Sequence, residues 1–262
     1  MTMKTLRVSA AVIGLVGLAG IVLARSAAAE TINPVVRFTV FGNYSFDVEL
    51  FADETPATVA NFLGYMNAGS YTNSIIHRST TSNPADSQVL QGGSFYLGTN
   101  GLSVIETGSP IALEAGLPNL RGTLAMARTN DPDSATSGWF INVEDNPGLD
   151  PSLDPFNPNP GYTVFGRVIP DVLPPLNPLS GMALIDALAT LEIYPQNLNV
   201  WTGTGFESVG FPQLPLLIEE GEGYLVLVNS IAPVPEPSTW ALASIGLVAA
   251  AWATRRCRRC RG

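Results

Sequence analysis

The chain has 262 residues, 46% of them hydrophobic and only 13% charged, enough for a substantial core and too apolar to be disordered throughout. Its charge is segregated: three basic residues precede position 30, five lie in 255–261, and the body between them sets five arginines and no lysine against 22 acidic residues. So acidic a body repels phosphate backbones and excludes nucleic acid as a partner; a single histidine (His77), and cysteines (Cys257, Cys260) confined to the last six residues, exclude thiol, Schiff-base and multi-histidine zinc chemistry, so neither metal nor cofactor is expected.

Residues 1–29 read as a secretory signal peptide. Lys4 and Arg7 supply the positive start, Val8 to Leu23 is an uncharged apolar stretch, and Ala27-Ala28-Ala29 offers a small-residue cleavage site. An uncleaved anchor helix is the alternative. From Pro34 the pattern turns to period two: Val36, Phe38 and Val40 alternate, Gly42-Asn43 is a two-residue turn signal, and Phe46, Val48 and Leu50 alternate back, predicting a hairpin. A helix follows, with Thr55 as cap, Pro56 in the first turn, Val59, Phe62, Leu63 and Met66 on one stripe, and Gly69 as its stop. Short strands are expected at 74–78, 87–92, 123–128, 139–143 and 162–169, a second helix at about 180–191, and a last strand at 224–228. The proline-rich stretches 150–160 and 170–178 read as loops because strand signals resume after them. Many short strands with two helices predict a mostly β fold, a closed antiparallel β-barrel capped by two α-helices, in one domain over 34–231.

The C-terminal end has three parts. Val234-Pro235-Glu236-Pro237-Ser238 is followed by an apolar stretch over about 240–253, then by Arg255-Arg256-Cys257-Arg258-Arg259-Cys260-Arg261. This tail, 234–262, resembles the PEP-CTERM sorting signal of Gram-negative bacteria, which an exosortase-type enzyme processes. Basic residues after a hydrophobic segment hold that end in the cytoplasm, and the segment is short for a lasting span. The resemblance implies an exported protein of the cell envelope or surface, its tail initially in the inner membrane. The Cys257/Cys260 spacing carries no role for the body.

Several segments of the body occur in an order that resembles the cyclophilins, the peptidyl-prolyl cis-trans isomerases: "VELFADETPATVANFLGYMNAGSY" (48–71), "HR" (His77-Arg78), "QGG" (91–93), "RGTLAMARTNDPDSATSGWFIN" (121–142), "GYTVFGRVI" (161–169), "GMALIDALATL" (181–191), "FPQLPL" (211–216) and "LVLVNSI" (225–231). The resemblance implies an eight-stranded barrel with a helix at each end, acting on X-Pro bonds in proline-containing segments of exported proteins. Prolyl rotation faces a barrier of about 18–20 kcal/mol from amide resonance, and removing that resonance needs no nucleophile, metal or cofactor. Lowering the barrier by about 5 kcal/mol would speed exchange several-thousand-fold.

On this resemblance Arg78 is the catalytic residue, hydrogen-bonding toward the prolyl nitrogen, and Gln91 donates to the substrate backbone. Phe140 is the pocket floor with Met126 and Leu149 nearby, Ala127 and Arg128 form the edge that meets the substrate backbone, and Tyr162 stands where eukaryotic members place a histidine. Each also has a plainer reading, as salt-bridged surface arginine, loop-satisfying amide or core side chain. His77 reads as a packed residue, since isomerisation transfers no proton, and Asp131/Asp133 and Asp150/Asp154 read as turn residues. Departures from the pattern are Gly138 for a glutamine, Trp139 for a phenylalanine, Gln88 for a pocket phenylalanine, Gly148 for a tryptophan, and a long polar segment 79–87. They leave open a second class of function, a catalytically weakened cyclophilin-like module that binds peptides at the cell surface. A structural exopolysaccharide-associated protein is a third, for which no sugar-stacking aromatic stripe is evident.

Overall fold

The computed structural model describes residues 33–235 except Pro84, Leu153, Asn157, Glu220 and Gly221. The expected signal peptide, the apolar segment 240–253 and the two cysteines lie outside the described residues. In chain order the described elements are β1 (Val35–Val40), β2 (Tyr44–Leu50), α1 (Pro56–Asn67), β3 (Ser74–Ile75), β4 (Arg78–Ser79), β5 (Val89–Gly92), β6 (Phe95–Gly98), β7 (Gly101–Val104), β8 (Thr123–Met126), β9 (Trp139–Asn142), a 3-10 turn (Pro147–Leu149), β10 (Val164–Ile169), α2 (Gly181–Ala189), β11 (Glu192–Trp201), β12 (Phe206–Glu219), β13 (Glu222–Leu225) and β14 (Leu227–Pro233).

The period-two signal in β1 becomes strict burial of Val36, Phe38 and Val40, and the hairpin pairs Val40 with Tyr44. Its loop is therefore three residues, Phe41 to Asn43, and not the two expected. Phe41 and Gly42 both take positive φ (47° and 79°), which reverses the chain with the strands' own twist. Helix α1 starts with Pro56 in its first turn and buries Val59, Phe62 and Met66, but Thr55 does not cap it. The Thr55 hydroxyl donates to the Phe51 carbonyl, and the free N–H groups of Ala57 and Thr58 donate to the Glu114 carboxylate at 3.2 and 2.8 Å. A carboxylate from a distant loop thus meets the positive end of the helix.

The strands pair in the order β13-β12-β11-β7-β6-β3-β14-β1-β2-β10-β8-β9-β5-β4. All neighbours are antiparallel except a single parallel register point, Trp201 opposite Ser103. The mostly β fold with two α-helices is as expected, but the hydrogen-bonded order counts 14 strands and has two ends instead of closing. β3 and β4 are separated only by Ile76 and His77, whose N–H groups donate to Val226 and Gln91 carbonyls at 3.0 Å each. Three hairpins were not foreseen, β6–β7, the long β11–β12 and β12–β13.

The main core joins β1, β2, β8–β10 and both helices. Phe38 stacks on Phe46 at 4.6 Å and meets the edge of Trp139 at 5.3 Å. The Trp139 ring lies over Gly93, where a Cβ would come within 2.6 Å of it and 2.7 Å of the Ser137 carbonyl. Only glycine fits there, because its φ of 79° is also one that other residues avoid. A second, smaller core of Ile75, Leu102, Val200, Phe211 and Leu214 is closed by β11 and β12.

His77 sits at the edge of that second core, 9% exposed, its ring edge-on to Phe95 at 5.0 Å. Burial lowers its pKa to about 4, with the Ile75 backbone opposing and the charge of Arg78 adding to the drop. The unfolded chain takes up this proton near pH 6.5 and the folded chain only near pH 4, so the residue's share of stability is complete above pH 6.5 and lost as pH falls between those values. A shift of that size is worth about 3 kcal/mol. His77→Phe, which keeps the aromatic packing, is expected to make the loss of unfolding free energy between pH 7 and pH 4 smaller by about that amount, as read from urea titrations of both proteins. Equal losses in the two proteins would refute this origin.

Candidate active site

Two paired strands, β4 and β5, place Arg78 directly opposite Gln91. β5 also pairs with β9, setting Gln91 opposite Phe140, and β9 pairs with β8, setting Phe140 opposite Ala125. This ladder delivers Arg78, Gln91 and Phe140 to one wall of a cavity of about 360 Å³, completed by Ala127, Arg128, Leu149 and Tyr162. Seven of the eight site residues expected from the sequence therefore converge. The eighth, Met126, is 2% exposed, pairs with Trp139, and packs in the main core behind the cavity wall.

The floor is apolar: Phe140, 4% exposed, meets the Tyr162 ring edge-on at 5.5 Å, and Leu149 lies beside them at the end of the 3-10 turn. A buried amide network fixes that turn. Asn142 Nδ2 donates to Thr123 Oγ1 at 2.8 Å and Asn119 Oδ1 at 3.2 Å, Asn146 Nδ2 donates to Asn142 Oδ1 at 2.8 Å, and Asn119 Nδ2 donates to the Leu149 carbonyl at 3.1 Å. The same carbonyl accepts the Tyr162 N–H at 3.1 Å, so both side chains of the wall hang from one anchor.

The cations of the cavity differ from the rest. Arg37, Arg121 and Arg167 each pair with a carboxylate. Arg78 and Arg128, both on the cavity, form no such pair among the described residues. Arg78 donates from Nε to Gln213 Oε1 at 2.9 Å and from Nη1 to Gln91 Oε1 at 3.2 Å. Arg128 stacks on Tyr162 with its guanidinium carbon 4.2 Å from the ring centroid and donates to the Gly161 carbonyl at 3.0 and 2.8 Å. Neutral acceptors leave neither guanidinium tied to a carboxylate, so both can turn their charge on a polar group that enters the cavity, whose rim also carries Asp86.

Sequence reasoning missed Thr80, Asp86, Ser87 and Val89, which also line the cavity. The long polar segment after Arg78 is folded onto the rim: Thr80 N–H donates to the Val89 carbonyl at 3.1 Å, and Thr81 Oγ1 donates to the Ala189 carbonyl at the end of α2 at 2.7 Å. Gln88 accounts for itself here, because its Nε2 donates to the Asn83 and Asp86 carbonyls at 2.7 and 2.9 Å and ties the segment together. Asp131, Asp133, Asp150 and Asp154 each accept a backbone N–H in a turn or loop. A roomier cleft of about 480 Å³ on β11–β13 is lined mainly by leucines, Ile218 and Tyr194, and brings no cation or carboxylate together.

Residues 35–199 match the family described as cyclophilin type peptidyl-prolyl cis-trans isomerase/CLD, well over half the chain. The chain belongs to the cyclophilin-type peptidyl-prolyl cis-trans isomerases. A peptidyl-prolyl cis-trans isomerase of Acinetobacter baylyi is 37% identical over 187 residues, 70% of this chain and 86% of that protein. Peptidyl-prolyl cis-trans isomerase B of Escherichia coli is 41% identical over 138 residues, 52% of this chain and 78% of that one. A crystal structure of a cyclophilin type isomerase from Cryptosporidium parvum superposes with a TM-score of 0.50 at 21% identity, over 78% of this chain and 99% of the other, a likeness of fold. Residues 233–259 match the PEP-CTERM protein-sorting motif, which joins this cyclophilin domain to an envelope-sorting signal. Among the described residues no helix is long and apolar enough to cross a membrane.

Proposed function

We propose that the cavity is the isomerisation site and that it acts on X-Pro bonds of exported or surface proteins. The observation that carries this reading is the convergence of Arg78, in no ion pair among the described residues, with an apolar floor of Phe140, Leu149 and Tyr162. The floor takes the proline ring. Arg78 donates toward the prolyl nitrogen as it becomes pyramidal, which favours the twisted amide over the planar one. Gln91, paired with Arg78 across the ladder, meets the substrate backbone, and the segment at Ala127 and Arg128 provides the edge along which the peptide lies.

Ring closure belongs to the same reading. β3 and β4 are one strand interrupted at Ile76 and His77, pairing with β14 on one side and β5 on the other, and that strand completes eight: β14, β1, β2, β10, β8, β9, β5 and itself. The sorting motif supports export through a signal peptide at 1–29, processing of the tail by an exosortase-type enzyme, and residence in the envelope of a Gram-negative bacterium. A second reading, a module that binds prolyl peptides with weak turnover, is favoured by Gly138, which brings no side-chain amide to the site.

Exchange NMR on a short X-Pro peptide separates the two. Catalytic amounts of the chain are expected to raise the cis-trans exchange rate by orders of magnitude over the uncatalysed tens of seconds. Peptide resonances that shift on titration without faster exchange would sink the enzyme reading in favour of the binding module.

A further inference from the structure

β12 bulges at Gln213. Leu214 faces Tyr194 and Phe211 faces Gln196, so Pro195 alone stands opposite Pro212 and Gln213. Neither proline has an N–H for the ladder, and the strand bulges where donors are missing, which re-aims a side chain. Phe211, 3% exposed, fastens this part of β12 by packing edge-on to Phe95 at 5.0 Å and His77 at 6.5 Å. The strand therefore grips both the ring that precedes Arg78 in sequence and, through Gln213 Oε1 at 2.9 Å, the Arg78 Nε.

Gln91 and Gln213 accept from different nitrogens of the guanidinium, and two acceptors fix its plane where either alone leaves a rotation free. Among the described residues no third amide bonds the guanidinium. At Gly138 a Cβ would already meet Ser94 Oγ at 3.2 Å and the Ala127 Cβ at 3.3 Å. We propose that Gln213 is a positioning residue for Arg78, holding the guanidinium in its working orientation from a strand that lies beyond the matched family segment 35–199. This rests on the proposed role of Arg78. A neutral acceptor suits the task, since it orients the cation without cancelling its charge.

Gln213→Leu, close in size but without an acceptor, is expected to lower kcat about tenfold with KM within about twofold, because the loss falls on the transition state. In the full chain the Arg78 Nε–H resonance should be protected from solvent exchange in the wild type and in Gln213→Glu, and unprotected in Gln213→Leu. Introduced into Arg78→Ala, Gln213→Leu should cost nothing further. A Gln213→Leu protein as active as the wild type, or one that loses equally in both backgrounds, overturns the proposal. If Gln213→Leu does not fold, Gln213→Glu decides: an unprotected Arg78 Nε–H there overturns it as well. Full activity in Arg78→Ala alone would instead remove the reading of Arg78 on which the proposal stands.

Discussion

Arg78→Ala is expected to lower kcat/KM on an X-Pro peptide about a hundredfold, the usual loss when one preorganised donor is taken from a developing charge. The fold should not notice. Arg78 is exposed and, among the described residues, has no carboxylate partner and is held by two glutamine amides, so unfolding free energy should change by less than about 0.5 kcal/mol. Arg78→Lys tests whether charge alone suffices. An ammonium is a point charge without the planar fork that reaches Gln91 and Gln213 together, so it should recover only part of the rate. Measuring kcat/KM by exchange NMR beside urea unfolding for both variants separates catalysis from stability. An alanine variant within twofold of the wild type would remove Arg78 from the mechanism.

What the sequence disclosed follows the physics of local signals. The β1–β2 hairpin was legible because Val36, Phe38 and Val40 alternate without exception, and α1 because Pro56 and the Val59–Phe62–Met66 stripe agree. Its true cap was not, since Glu114 lies 56 residues from Thr58 and nothing local links them. β11 and β12 were missed for a definite reason. Pro195, Pro212 and Pro215 argue against a paired strand, and they are tolerated only because a bulge absorbs two of them and the strands lie outside the main core. The candidate site was legible through ordered resemblance and not through periodicity: Arg78 and Gln91 stand 13 residues apart, and only the β4–β5 ladder makes them neighbours. Gln213 was out of reach for the same reason that it is informative, a contact across 135 residues made by a residue the strand pattern itself obscured. Met126 is the converse case, an apolar residue one step from the cavity lining that the alternation of the strand turns into the main core.

The largest stability effect is expected far from the cavity, at Arg37 and Asp47. They face each other across β1 and β2, Asp47 fully buried and Arg37 half-buried, with a bidentate contact of 2.7 and 2.9 Å. The hydrogen bond to Asp47 raises the Arg37 pKa against the opposing effect of burial. Arg37 also donates to the Leu173 carbonyl at 2.6 Å, and Asp47 accepts the Val172 N–H at 2.6 Å, so the pair staples the proline-rich segment after β10 onto the hairpin. Arg37→Met leaves a carboxylate buried with one N–H for company, which should cost about 3–5 kcal/mol. For a domain of this size that is a fall in Tm of about 10 °C. Arg37→Met with Asp47→Leu removes the fully buried charge and should regain most of the loss, short of about 1–3 kcal/mol for the Val172 N–H left without an acceptor and for Asp171, whose carboxylate loses the Arg37 charge 3.8 Å away. A double variant no more stable than Arg37→Met would mean that the pair matters for the staple it forms and not for the charge it neutralises. The isomerase rate distinguishes this site from the cavity: both variants, assayed well below their Tm, should turn over X-Pro peptides at the wild-type rate, because neither residue lines the wall that Arg78 and Phe140 build.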